Sequence, residues 1–182
     1  MIYLYYTGAQ ADGAQQSDIT KSLGGFISGT VIPNSRINSL FRDVSQRSAM
    51  PGNTETICIA IKNTSAAKLN NFTLYCELQV GSTTYIIEAA AVKPTKGPCG
   101  AYLFEKLRAS DELPYYGEFN NIVTVANAIN IGSIEPNEFI GLFITKKFIT
   151  PNPPVDTCIP VDFEKQTDAD LSEEIKFNFS WD

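Results

Sequence analysis

Few residues in this chain are of a type that does chemistry. Histidine is absent from all 182 positions, which removes Ser-His-Asp and Cys-His nucleophilic centres and every imidazole-containing metal site. Paired carboxylates remain as a route to general acid–base work. Glu173 and Glu174 are adjacent, so on a strand they point to opposite faces. Asp111-Glu112 falls in a loop pattern, and both pairs read as solvated acidic surface. Asp168-Ala169-Asp170 opens like a calcium loop, but the sixth position is not glycine and the twelfth is Phe179, so the EF-hand pattern fails. Leu23-Gly24-Gly25-Phe26 is not followed by Lys-Ser/Thr at the spacing of a phosphate loop. The four cysteines, Cys58, Cys76, Cys99 and Cys158, form no CxxC pair, so no zinc cage is expected. Cys58 and Cys76 lie in apolar strand patterns where a thiol packs as a small hydrophobe, and all four are expected to be reduced. The expectation is a protein with no catalytic residues, no metal and no cofactor.

Composition points to strands and turns. Hydrophobic residues make up 43% of the chain and charged residues 19%, enough apolar surface for one core. Eight Tyr, eleven Phe, ten Pro and twelve Gly stand against two Met. No apolar run approaches the roughly 20 residues of a membrane helix, so a soluble chain is expected. The opening MIYLYYTGAQADG has neither a basic stretch nor an extended apolar one, and does not read as a secretory signal. The sequons at Asn63, Asn71 and Asn178 then read as chance matches. Lys and Arg total 14 against 20 Asp and Glu, a net charge of −6. Residues 162–182 alone hold seven acids against Lys165 and Lys176. No basic stripe follows a phosphate backbone, so direct nucleic-acid binding is not expected.

The positioning elements divide at residue 50. Residues 1–50 combine a Tyr3-Tyr5-Tyr6 extended start, a polar stretch from Thr7 to Thr20, and apolar residues set among glycines from Ser22 to Gly29. They read as an N-terminal arm, with Ile37, Leu40, Phe41 and Val44 forming the apolar stripe of one short helix after Pro33. Residues 51–182 read as a sandwich domain. Ile57, Ile59 and Ile61 alternate with Thr56, Cys58 and Ala60, a strand buried on both faces. Phe72–Val80 alternates cleanly, and Gly81-Ser82 turns it into Thr83–Val92. Tyr102–Arg108 fits a strand or helical turns, and 109–137 is poorly patterned apart from a weak strand at Ile122–Ala126. Glu138–Lys146 is the strongest β run; Cys158–Phe163 and Ile175–Trp181 complete the set. Strands without a βαβ rhythm give an all-β, immunoglobulin-like antiparallel sandwich. Its expected core includes Ile57, Ile59, Ile61, Phe72, Leu74, Leu78 and Leu142.

Three stretches carry a resemblance. They are Tyr5-Tyr6-Thr7-Gly8-Ala9 with Lys21–Ser28, Ile32-Pro33-Asn34 and Asn38–Phe41; Thr54–Thr64 with Leu69-Asn70-Asn71-Phe72; and Ile131–Ile144 around Pro136-Asn137-Glu138. Together they resemble a family of small virion structural proteins of tailed bacteriophages whose body is an immunoglobulin-type sandwich. The resemblance covers residues 3–149 and implies a non-enzymatic building block of the neck, head–tail connector or tail. It also implies a virion location after synthesis in the host cytoplasm, and a ring of copies contacting other virion proteins. No membrane, sequence-specific nucleic acid or small-molecule substrate is expected as a partner. Two other readings stay open: an exported bacterial surface or adhesin sandwich, and a carbohydrate-binding module with aromatics in a row. The candidate assembly residues are Tyr3, Tyr5, Leu23, Phe26 and Ile27 in the arm, and Phe177 and Trp181 in the terminal strand. The segment reads either as a loop packed on its own domain or as an arm that docks on a neighbouring copy; the assembly reading expects the neighbour, because ordering each backbone residue costs about 1–2 kcal/mol and needs a rigid surface.

Overall fold

The computed structural model describes residues 1–33, 40–41, 52–78, 85–97, 100–115, 117–122, 125–148 and 175–182. The frame is β3 (Thr54–Asn63) and β10 (Phe139–Phe148), antiparallel from Phe139↔Lys62 to Lys147↔Thr54. β3 is rich in β-branched residues and β10 in β-branched and aromatic ones, the composition that fits a pleated surface. β5 (Tyr85–Val92) continues the sheet on the far side of β10, from Gly141↔Val92 to Phe148↔Tyr85. β1 (Ile2–Ala9) continues it on the near side of β3, in the register Ile2↔Asn63 to Tyr6↔Ile59. β2 (Gly25–Val31), β7 (Tyr102–Phe104) and β6 (Thr95–Lys96) extend that side, and β8 (Asn120–Asn121) closes the other. A second sheet has β4 (Leu69–Leu78) at its centre, flanked by β11 (Ile175–Ser180) and β9 (Ile129–Ile134). All these pairings are antiparallel.

The result is the expected antiparallel β-sandwich, with a strand order of its own: β10 lies between β3 and β5, and β4 rather than β9 is central in the small sheet. Both edges of the large sheet are two-residue exposed strands, too short to template another chain. Between the layers lie Ile57, Ile59, Ile61, Phe72, Leu74, Leu142 and Ile144, none more than 2% exposed. These include the expected core residues, except that the Leu78 side chain falls outside the description. Ile122 stitches the layers together: its N–H donates to the Ile87 carbonyl at 3.0 Å, and its carbonyl accepts from Cys76 N–H at 2.7 Å.

The N-terminal segment is not an arm. β1 lies inside the large sheet between β2 and β3, and Leu4, Tyr6, Thr7, Ala9 and Ile27 are buried. A boundary at residue 50 would therefore cut through one sheet. The interrupted periodicity has a local cause: β1 shifts register against β2 between Tyr5 and Thr7 and again between Thr7 and Ala9. The second shift sets two residues of β1 against one of β2, which switches the outward side chain of β1 and erases the period of two. The helix expected after Pro33, the turn at Gly81-Ser82 and the strand at Cys158–Phe163 lie outside the described residues. Leu40 is buried against the core and Phe41 packs on it. The ambiguous Tyr102–Arg108 run resolves into β7 followed by loop, and the weak strand at Ile122–Ala126 shrinks to β8 before it and a 3-10 turn at Val125–Asn127. β9 falls inside the stretch that lacked a pattern, because Gly132, at φ 92°, interrupts its isoleucines.

Two substitutions test this frame. Phe72→Ala removes a ring at 0% exposure and should cost about 3–5 kcal/mol in chemical denaturation; Phe72→Asp should not fold. Deleting residues 1–30 strips β1 and nearly all of β2 from the middle of a sheet and should unfold the protein. A truncated chain with the parental melting transition would show that β1 is dispensable.

Candidate functional site

The outer face of the large sheet carries a second core. Cys58 and Ala60 of β3 and Phe143 of β10 point away from the small sheet, yet all three are buried. Ile27, Phe104 and Leu107 cover them, with Tyr5, Leu23, Val92, Tyr102, Phe119 and Phe139 packed around the margin. Phe104 belongs to β7, four strand positions from β10, or about 19 Å across a flat sheet at ~4.8 Å per strand. A Cβ on Gly141 of β10 would nevertheless come 2.5 Å from the Phe104 ring. The sheet is therefore curled, with β2 and β7 folding over its own outer face. Gly141 is the dent that admits the ring.

A buried polar latch fixes this curl. The Thr7 hydroxyl donates to the Cys58 carbonyl at 2.7 Å and accepts from Gly24 N–H at 3.1 Å. Ser22 supports it, its carbonyl accepting from Cys58 N–H at 2.6 Å. Leu107 N–H then donates to the Leu23 carbonyl at 2.8 Å, tying the covering loop to the N-terminal segment. Gly24, at φ 85°, lies so close to the Glu105 carbonyl that no Cβ fits there. Buried polar groups that found no such partners would each cost about 1–3 kcal/mol.

At the Asn63 end of β3 the curl ends in a partly exposed rim of aromatic rings, its mouth. Tyr3 of β1, Lys62 of β3 and Phe139 of β10 are register neighbours across three strands. Tyr5 meets Phe139 edge-on with ring centroids 6.0 Å apart and planes at 70°. Tyr102 meets the same ring at 6.1 Å and 48°. Lys62 Nζ sits 4.9 Å from the Phe139 centroid, and Lys96 Nζ 5.9 Å from that of Tyr102. Among the described residues neither lysine is paired with a carboxylate. Tyr3 is 40% exposed and Val31, opposite Tyr5, is 38% exposed, so apolar surface continues outward from the mouth.

The candidate assembly residues thus part company. Tyr3 and Tyr5 lie in the mouth. Ile27 is buried and Leu23 packs on the outer core, so both are structural anchors in their own chain rather than docking groups. Phe26, half-buried, pairs with Leu103 of β7. Trp181 stacks on Phe72 at 5.8 Å and 17° while remaining 47% exposed, so it caps the open side of the main core. Phe177 pairs with Cys76 in the β11–β4 ladder. Composition alone missed Tyr102, Phe139, Lys62 and Lys96; the aromatic–lysine register across strands becomes visible only once the sheet order is known.

The remaining chemistry-bearing residues serve structure. Asn63 is fully buried: its amide donates to the carbonyls of Ala67 at 2.8 Å and Ile134 at 3.0 Å, and its Oδ1 accepts from Ser65 N–H at 2.9 Å. It organises the crossover between layers and offers no amide to a glycan. Asn137, at φ 62°, donates its N–H to the Asn63 carbonyl at 2.7 Å, so the Lys-Asn-Thr and Pro-x-Glu stretches meet at one corner. Burial raises the Cys58 thiol far above its ordinary range, against smaller opposing effects of Thr7 and Gly24, and pushes Cys76 up to about 12. Glu112 accepts from Arg108 N–H at 2.7 Å, and Asp111 lines a shallow polar groove with Glu55 and Ser110. Among the described residues no three His, Cys, Asp or Glu side chains cluster to hold a metal, and no helix is long and apolar enough to cross a membrane. Glu173-Glu174 and Asp168-Ala169-Asp170 lie outside the described residues.

Comparison of the chain with protein-family models, curated proteins and solved structures finds no match.

Gly141→Ala should displace Phe104 and loosen the curl, at about 1–3 kcal/mol for an overpacked site; denaturant midpoints and near-ultraviolet circular dichroism report both effects. An unchanged midpoint would mean that the ring does not rest on Gly141. Thiol titration should find Cys58 and Cys76 inert in the native protein and all four cysteines reactive in denaturant without reductant. A lower denatured count would reveal a disulfide.

Proposed function

We propose that the chain is a non-enzymatic structural component of a tailed-bacteriophage particle, held in the neck, head–tail connector or tail by protein–protein contacts. The observation that carries this reading is the mouth of the curled sheet. Tyr3, Tyr5, Tyr102 and Phe139 form a partly exposed aromatic cluster on a rigid scaffold, flanked by two lysines. Partly exposed aromatic side chains are enriched among the residues that dominate protein interfaces. The resemblance to virion structural proteins supplies the setting for such contacts, and its segments build β1, β3, β10 and the corner at Asn63.

The carbohydrate-binding alternative is less well supported by the same rings. A sugar stacks on ring faces presented flat and in a row, whereas Phe139 is inclined at 70° to Tyr5 and at 48° to Tyr102. The faces of Phe139 and Tyr102 are also approached by Lys62 and Lys96. Interlocked rings of this kind suit a complementary protein surface better than a glycan chain.

Light scattering on the purified chain, and co-sedimentation with particle proteins, test the reading. The parent should self-associate or join the particle fraction. Phe139→Ala with Tyr3→Ala should weaken that association by about 30-fold, the loss of a hot spot of ~2 kcal/mol. A chain that stays monomeric, ignores particle proteins and instead binds glycans on an array would overturn it.

A further inference from the structure

Residues 105–115, the loop that follows β7, present apolar side chains to solvent. Leu113 is 52% exposed and Tyr115 83%, yet the backbone that carries them is held at several points. The Thr54 hydroxyl donates to the Asp111 carbonyl at 3.2 Å, and Thr56 N–H donates to that of Ser110 at 2.6 Å. Arg108 N–H donates to the Glu112 carboxylate at 2.7 Å. Tyr115 N–H donates to both oxygens of Glu105, at 3.0 and 2.9 Å, and Pro114 is buried between the two exposed residues. The apolar pair is therefore offered on a fixed backbone, which reduces the entropy lost on docking. Its surroundings are acidic. Asp111 and Glu112 precede it and Glu118 follows, all three exposed, and no Lys or Arg stands between Arg108 and Lys146.

We propose that this loop of one copy, through Asp111, Glu112, Leu113 and Tyr115, docks on the lysine-rimmed aromatic mouth of another. The contact rests on the structural-component reading and names the surface pair that would serve it. Charge complementarity selects the occupant. Lys62 and Lys96 lie beside ring faces with no carboxylate partner among the described residues. The acids that come just before Phe139 are engaged elsewhere: Glu138 accepts from Glu135 N–H at 2.8 Å, and Glu135 meets Lys68 at 2.6 Å. The mouth thus offers two cations, and the loop offers two exposed anions. Apolar surface matches as well, Leu113 and Tyr115 on one side and Tyr3 and Val31 on the other. The same two acids cannot serve the mouth of their own chain. Asp111 is held at Thr54, at the opposite end of β3 from Lys62, about 27 Å away at ~3.4 Å per residue. Because the two surfaces differ, each copy gives one contact and receives another, as rings and stacks require.

The test is sedimentation equilibrium of the full chain at 0.1 M NaCl, where charges act over ~10 Å. Lys62→Glu with Lys96→Glu in one variant, and Asp111→Lys with Glu112→Lys in a second, should each weaken self-association at least ~10-fold. The first makes the chain more acidic and the second less, so a general charge effect would move them in opposite directions. An equimolar mixture of the two variants should associate again, because each then meets a surface of opposite sign. Tyr115→Ala keeps every backbone hydrogen bond of the loop and should also weaken association at least ~10-fold. All variants should melt with the parent. Self-association indifferent to either reversal, or a mixture that stays dissociated, would overturn the docking. A parent that is monomeric up to millimolar concentration yet joins particle proteins would also overturn it and leave the structural role intact. Only the additional failure to join particle proteins would bring down the functional reading as well.

Discussion

The structure depends on one constraint: β3 and β10 are apolar on both faces, so both faces of the large sheet must be covered. Ile57, Ile59 and Ile61 alternate with Cys58 and Ala60, and none of the five is more than 2% exposed. The small sheet can cover one side only. The other side is covered by the sheet itself, through the extension of β1 into β2 and β7 and the curl that brings Phe104 onto Gly141. Small residues decide where this is possible. Ala60 and Gly141 face each other across the β3–β10 ladder, and together they leave the depression that the covering ring fills. Burying a ring of this size contributes roughly 1.5–3 kcal/mol relative to exposure, one part of what offsets the cost of ordering a glycine-rich segment.

Curling a sheet across itself brings backbone groups into places that strand pairing alone does not satisfy. Beyond Tyr6 the β1–β3 register ends, and the exposed side of β3 is taken over by loops: Cys58 N–H by the Ser22 carbonyl and Thr56 N–H by that of Ser110, both at 2.6 Å. Thr7 stands where strand pairing gives way to these loop contacts. Its hydroxyl serves as donor and acceptor at once, so neither β3 nor the Gly24 turn is left with an orphan group. Asn63 has the matching role at the C-terminal end of β3. The two buried polar side chains thus fix the middle and one end of the strand on which the sandwich is built.

The sequence disclosed this architecture unevenly, for physical reasons. Regular alternation in β3, β4 and β10 reflects straightforward pairing between two covered faces, so those strands and their core residues were legible. β1 and β9 were harder because bulges and positive-φ residues (Gly8 at 79°, Asn71 at 49°, Gly132 at 92°) break the period where β1 bends and where β4 meets β9. A chain segment that alternates poorly and carries many glycines looks like an arm from its own residues. What makes it a central strand is the requirement of β3 for a neighbour, which local patterning does not express. The same holds for the candidate surface. Tyr3 and Tyr5 stood out as extended aromatics, while Phe139, Tyr102 and the two lysines join them only through strand order and curl.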